Sequence, residues 1–337
     1  MKSYILLLPL AISLITVLAL MPWWIRKVRF VGLVWKDMNK IDSEKVSGSG
    51  GLIVLLAFLL SVLSYVTYRV FLLESSNGFL LEIFVILVMV IFMGFIGFID
   101  DLFGWRRGGL SGRVRILLAI FGAIPLIAIK AGESSMNFPI FGVIDWGLVY
   151  PLFLIPLGVV ATTTTFNMLA GFNGLEAGQG IILLSGMAFV SYINGSAWLS
   201  IVCLCMVLAL IGFLKFNKFP ARVFPGDVMT YSVGVMIAAI AIVGNFEKIA
   251  IFFYIPYIIE VILKSRGKLK KSSFGKPMKD GTLENQHNKI YSLNHLSILV
   301  LKKIGIRSTE KNAVYAIWIF QIIIILLGIF FSRDSLF

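Results

Sequence analysis

Residues 167–180, NMLAGFNGLEAGQG, lie between two stretches of almost uninterrupted apolar sequence. About 20 mostly apolar residues suffice to cross a hydrocarbon core of about 30 Å, and each flank is close to that length. Two asparagines, several glycines, a glutamate and a glutamine therefore stand where one buried helix ends and the next begins. The flanks decide the fold; the stretch itself raises the question of function.

The same pattern fills the rest of the chain. Of 337 residues, 59% are hydrophobic and only 14% charged, outside the range of soluble globular domains. Apolar runs place ten membrane helices at 4–24, 50–72, 79–100, 114–131, 147–166, 178–194, 197–214, 228–244, 248–264 and 313–332. The expected fold is thus all-α, a polytopic integral membrane helical bundle forming one domain over residues 1–337. The first run follows a lysine but is too long for a signal peptide and lacks a small-residue cleavage site, so it reads as a helix.

Charge orients the bundle. The gaps after helices 1, 3, 5, 7 and 9 hold 25 of the 30 Lys and Arg residues, and the opposite face holds five. Cationic loops stay in the cytoplasm, so both termini are expected on the outer face. The net charge of +13 is then mostly a topology signal, and nucleic acid is not an expected partner. Cys203 and Cys205 point to different faces of one helix and suggest neither a disulfide nor a zinc site.

Polar residues concentrate in the five loops that charge assigns to the inner face. Loop one carries WKDMNK (35–40, ending at Lys40) and VSGSGGL (46–52), readable as a basic patch against lipid headgroups and a flexible turn. FIDDLFGWRRGGLSGRVR (98–115) ends the third span with Asp100 and Asp101 side by side, where a helix C-terminus disfavours carboxylates. Arg106, Arg107, Arg113 and Arg115 are candidate counter-charges; a bound metal or proton handling are the alternatives. Asn173 to Glu176 has capping-box spacing, but capping leaves Asn167, Gly171, Gly174 and Gly178 without a reason. Glycines admit close approach of backbone to ligand, and free amides at a helix start favour anions. FPGDVMTYSVG (224–234) repeats the arrangement with Asp227 at the expected N-cap. The loop 265–312 holds twelve Lys and Arg counted from Lys264, with the only histidines, His287 and His295.

In this order, DMNK, DDLFGW, NMLAGFNGLEAGQG, FPGD and the histidine-containing last loop resemble the polyprenyl-phosphate N-acetylhexosamine-1-phosphate transferases, glycosyltransferase family 4, along nearly the whole chain. LAGFNGLEAGQ is similar to the eukaryotic and archaeal branch, which moves GlcNAc-1-phosphate from UDP-GlcNAc to dolichyl phosphate. The resemblance implies Mg²⁺, with Mn²⁺ as an alternative ion, held by Asn167 and Asp227. It implies a uracil pocket at Gly171, Asn173 and Phe224, and Asp100 and Asp101 as the catalytic pair beside the lipid phosphate. Lys40, Arg106, Glu176, His287 and Lys289 are further candidate substrate contacts. Two departures stand out: Ser47-Gly48 replaces a Pro-Glu in loop one, and Gln286-His287-Asn288-Lys289 replaces an Arg-His-Arg cluster. The implied setting is a prokaryotic, archaeal-like cell membrane with the active site facing the cytoplasm, partners being UDP-GlcNAc, dolichyl or polyprenyl phosphate, membrane lipids and, for the assembly, a homodimer. The rival readings are an intramembrane prenyltransferase, which generally wants two Asp-rich clusters where this chain has one, and a transporter, which wants charges at mid-span.

Overall fold

A computed structural model describes residues 7–42, 45–72, 78–138 and 142–332. It contains α1 (Leu7–Val31), α2 (Gly51–Leu72), α3 (Leu80–Arg107), α4 (Gly112–Gly122) and α5 (Ile124–Ala128). A π-helical turn, Tyr150–Leu154, then runs into α6 (Ile155–Met168). The second half holds α7 (Leu175–Ile193), α8 (Ala197–Asn217), α9 (Gly226–Val243), α10 (Glu247–Phe253), α11 (Ile255–Arg266), α12 (Leu293–Lys303) and α13 (Glu310–Ser332). Three two-stranded antiparallel ribbons join them: β1 (Val34–Lys36) with β2 (Lys45–Ser47), β3 (Ser135–Phe138) with β4 (Gly142–Asp145), and β5 (Gly275–Pro277) with β6 (Leu283–Asn285). An apolar period says nothing about these short polar hairpins, which qualify the all-α expectation.

Among the described residues eight helical segments are long and apolar enough to cross a membrane. The other two expected spans are each broken in two, at Ala123 between α4 and α5 and at Tyr254 between α10 and α11. Proline explains both breaks. Pro125 and Pro256 stand in the first turn of the following helix, where the missing N–H is harmless, but neither could continue the helix before it.

At the centre is α9, buried along nearly its whole length and packed on α3 and α6. Close approach is set by small residues, as expected where apolar burial alone does not draw membrane helices together. A Cβ on Gly97 of α3 would stand 2.6 Å from Val228 N, and one on Gly234 of α9 would stand 2.7 Å from Thr163 Cα on α6. A Cβ on Gly51, at the start of α2, would stand 2.5 Å from Met229 N. The start of α9 is therefore wedged between α2 and α3, with its middle against α6, and Asp227 is held with it. The threonine run on α6 turns inward on its own backbone, Thr164 Oγ1 donating to Val160 O at 2.7 Å and Thr165 Oγ1 to Ala161 O at 2.6 Å. Cys203 and Cys205 are free thiols buried in α8.

Candidate active site

All five polar loops contribute to one cleft of about 300 Å³ at one end of the bundle. Its wall includes Asp37 and Ser49 from loop one, Asp101 of α3, Asn167, Gly171 and Glu176 around the start of α7, Phe224 and Asp227 at the start of α9, and Phe274 beside β5.

The aspartate pair is not at a helix end. α3 continues to Arg107 and ends at Gly108 with φ of 90°, so the unfavourable C-terminal dipole expected for Asp100 and Asp101 does not act on them directly. Each has its own partners. Asp100, 1% exposed, accepts from Tyr231 Oη at 3.0 Å, Leu110 N at 2.7 Å and Arg115 Nη2 at 3.1 Å, with Arg115 Nε 2.7 Å from its other oxygen. Of the expected counter-charges Arg115 reaches Asp100, from α4; the side chains of Arg106 and Arg107 lie outside the described residues. Asp101 turns the other way and accepts from Asp227 N at 2.7 Å through Oδ1, while its buried Oδ2 has no partner. Arg115 Nη2 also lies 3.9 Å from Asp227 Oδ2, so the carboxylates of Asp100 and Asp227 share one guanidinium.

Both expected caps are corrected. Asp227 sits inside the first turn of α9, whose N-cap is Pro225, and Asp101 caps that helix from α3 instead. The N-cap of α7 is Gly174, in the left-handed region at φ of 87°, without a side-chain bond. Glu176 reaches back beyond Asn173 to accept from Gly171 N at 3.1 Å. Asn173 is buried away from the cleft and donates N to Glu310 Oε1 at 2.7 Å and Nδ2 to Asp37 Oδ2 at 3.0 Å. The amides at 171, 173 and 227, which a helix-start reading offers to a ligand anion, are thus already taken by the protein's own carboxylates.

The other expected contacts divide clearly. Asp101, Asn167, Gly171, Glu176, Phe224 and Asp227 line the cleft; Asp100 stands directly behind it; Lys40, Asn173, His287 and Lys289 do not line it. Lys40 pairs with Asp37 at 3.4 Å and lies over the Phe219 ring. His287 packs edge-to-face on His295 with ring centroids 5.7 Å apart, and Lys289 is exposed. His295 is fully buried; its Nδ1 accepts from Tyr291 N at 3.4 Å and its Nε2 faces Phe274 O at 3.3 Å. Burial holds the His295 imidazole below the ordinary histidine range.

Sequence reasoning missed Trp35, Lys36, Ser49, Asn217 and Phe274, all in the cleft wall. Asn217 carried a signal, an amide closing an otherwise apolar helix; Phe274 carried none. Ser49 Oγ and Asn217 Oδ1 are, like Asp101 Oδ2, buried without a partner. A wall with open acceptor oxygens, carboxylates, one lysine in Lys36, and aromatic side chains at Phe224 and Phe274 suits a planar polar ligand that arrives with a cation.

A second cavity, of about 420 Å³ and almost wholly apolar, runs between α6, α9, α10 and α11 past Leu154, Ile155, Ile237, Ala241 and Tyr254.

The family model for glycosyl transferase family 4 matches residues 83–245. A provisionally named UDP-N-acetylglucosamine–dolichyl-phosphate N-acetylglucosaminephosphotransferase of Saccharolobus solfataricus is 34% identical over 97% of this chain and 98% of its own length. One of the same provisional name from Sulfolobus acidocaldarius is 32% identical over 98% and 97%. The enzyme of that name from Dictyostelium discoideum is 29% identical over 68% of this chain and 64% of its own. With near-complete coverage by relatives above 30% identity, and the matched segment carrying Asp100, Asp101, Asn167 and Asp227, the chain belongs to glycosyl transferase family 4.

Proposed function

We propose that this protein transfers GlcNAc-1-phosphate from UDP-GlcNAc to dolichyl or another polyprenyl phosphate at the cytoplasmic face of a cell membrane. The observation that carries the reading is the convergence of Asp101, Asn167, Gly171, Phe224 and Asp227 in one cleft at the polar end of an apolar bundle. Relatives matched along nearly their full length bear the name of that activity. α4 with α5, and α10 with α11, make up the fourth and ninth crossings, so that ten crossings leave both termini outside and the cationic loops inside.

In the reaction an oxygen of the lipid phosphate attacks the β-phosphorus of UDP-GlcNAc. The bond from that phosphorus to the bridging oxygen breaks, UMP leaves, and the lipid carries a diphosphate-linked sugar. A phosphate monoester with a second pKa near 6 is already largely dianionic at about neutral pH, so no strong base is required. The difficulty is bringing anions together in a cleft that already holds carboxylates. Mg²⁺ suits the donor set: the unpartnered Asp101 Oδ2, Asp227 and Asn167 offer hard oxygens at the cleft. Among the described residues no three His, Cys, Asp or Glu side chains converge to hold a metal unaided, which fits an ion shared with ligand phosphates. When bound there it would neutralise charge on the diphosphate oxygens. Arg115 holds Asp100 in place and adds positive charge beside Asp227. Phe224 offers a face to the base, and the apolar cavity along α6, α9 and α11 takes the isoprenoid chain.

Purified protein given radiolabelled UDP-GlcNAc and polyprenyl phosphate should move label into organic-extractable lipid with release of UMP, and EDTA should stop it. Label that stays in the aqueous phase, in protein that is folded and supplied with Mg²⁺, would overturn the assignment.

A further inference from the structure

Glu310 opens α13 and is 3% exposed. A carboxylate in the first turn of a helix is ordinarily explained by the helix dipole. Here the oxygens are turned away to loops far off in sequence. Oε1 accepts from Asn173 N at 2.7 Å and Asn39 Nδ2 at 3.3 Å, and Oε2 accepts from Asn173 Nδ2 at 3.2 Å. Three donors thus converge on a group that can only accept while ionised.

The two asparagines carry the link to the cleft. Asn39 Nδ2 donates to Gly171 O at 2.6 Å, and Asn39 Oδ1 accepts from Gly275 N at 3.1 Å, next to Phe274. Gly171 N is held by Glu176 at 3.1 Å, so both backbone groups of Gly171 are tied. Its φ of 109° admits no other residue without strain, and a Cβ there would stand 3.0 Å from the Phe274 ring. Asn173 completes the frame by donating to Asp37, itself in the cleft wall.

We propose that Glu310 is a positioning residue for the sugar-nucleotide donor: through Asn39 and Asn173 it fixes Gly171, Asp37 and Phe274, three parts of the cleft wall that belong to different loops. The proposal rests on reading the cleft as the UDP-GlcNAc site, and it assigns to the last membrane helix a role in donor affinity. Glu310→Gln is the sharp test. It keeps the volume, but whichever way the amide lies its NH₂ meets an N–H donor of Asn39 or Asn173.

Full-length Glu310→Gln in detergent should show KM for UDP-GlcNAc raised about tenfold with kcat within about threefold, because wall geometry and not bond-making is disturbed. Hydrogen exchange in peptides covering 169–176 should speed up while that of α9 stays as in the wild type. Asn39→Ser, which cuts the bond to Gly171 directly, should reproduce both changes, and the double variant should be little worse than either alone. Unchanged exchange at 169–176, or a fall in kcat at constant KM, would overturn the proposal. If Glu310→Gln does not fold, Asn39→Ser decides by the same readouts. If the wild-type protein transfers nothing, the functional reading fails, and the exchange measurement alone decides whether Glu310 fixes the loops.

Discussion

Gly226→Ala tests whether the start of α9 is built around Asp101. Gly226 has φ of 72°, where an L-residue is strained by about 1–2 kcal/mol. A Cβ at 226 would also overlap Asp101 Oδ2. That oxygen has no partner of its own, but it cannot swing aside alone, because the carboxylate turns as a unit and Oδ1 would leave Asp227 N, now 2.7 Å away. A hydrogen bond to a charged group contributes about 1.5–3 kcal/mol. Together the strain and the lost bond amount to about 2.5–5 kcal/mol. If all of it falls on the transition state, turnover drops by about two to almost four powers of ten. Label transfer from UDP-GlcNAc to lipid, in protein shown by gel filtration and thermal melting to be folded, measures this. Activity within about threefold of the wild type would refute the coupling of Asp101 to the α9 start.

Asp227→Ala should abolish Mg²⁺-dependent label transfer, and Asp100→Asn and Asp101→Asn should lower it strongly; normal turnover by folded Asp227→Ala protein would remove Asp227 from the metal site. Gly97→Ala forces a Cβ to 2.5 Å from Asp227 C, backbone that cannot yield, so α3 and α9 must part at a cost of about 1–3 kcal/mol, read as a lower Tm. Gly104→Ala, with nothing within 4 Å, should leave Tm unchanged or higher. Because burial lowers the His295 pKa, the folded state favours neutral imidazole; its contribution is complete above about 6.5 and is lost as pH falls through the folded value. Tm should accordingly decline on acidification below that pH, and less so in His295→Gln.

Much of this architecture is legible in the sequence because a bilayer admits few solutions. Runs of apolar residues become helices, and the bias of 25 against five cations gathers the polar loops at one end, where the structure assembles them into one cleft. Periodicity stops at the ends of helices. The DDLFGW segment reads as an exit from the membrane because its charges begin at Asp100, yet backbone hydrogen bonding carries α3 on to Arg107. Capping boxes are local rules, and here they do not decide the partners: Glu176 passes over Asn173 to Gly171 in the preceding turn, while Asp101 serves Asp227 and Glu310 serves Asn173 across more than a hundred residues. Asn39 and Glu310 are 271 residues apart, a separation at which single-sequence patterns carry no information. Phe274 enters the cleft from a loop whose lysines dominate its reading.

The capping pattern bears on how an anionic donor could be held. A helix start with free amides can cradle phosphate by itself, and both α7 and α9 begin at the cleft. Yet Gly171 N, Asn173 N and Asp227 N are bonded to Glu176, Glu310 and Asp101, so the amides that would meet a phosphate instead fix carboxylates beside the site. Among the described residues the cleft wall holds four carboxylates, Asp37, Asp101, Glu176 and Asp227, and one cationic side chain, Lys36, while outside the wall Lys40 is paired with Asp37 and Arg115 is committed to Asp100. On the proposed reaction a nucleotide diphosphate entering this wall meets repulsion unless a divalent cation arrives with it, so donor and Mg²⁺ should bind as a pair. UDP affinity measured by calorimetry should therefore rise steeply with Mg²⁺ and nearly vanish in EDTA, whereas a cradle of backbone amides would retain most of it. UDP binding that is indifferent to EDTA would show that the carboxylates are not the ion's ligands and that cationic side chains carry the diphosphate.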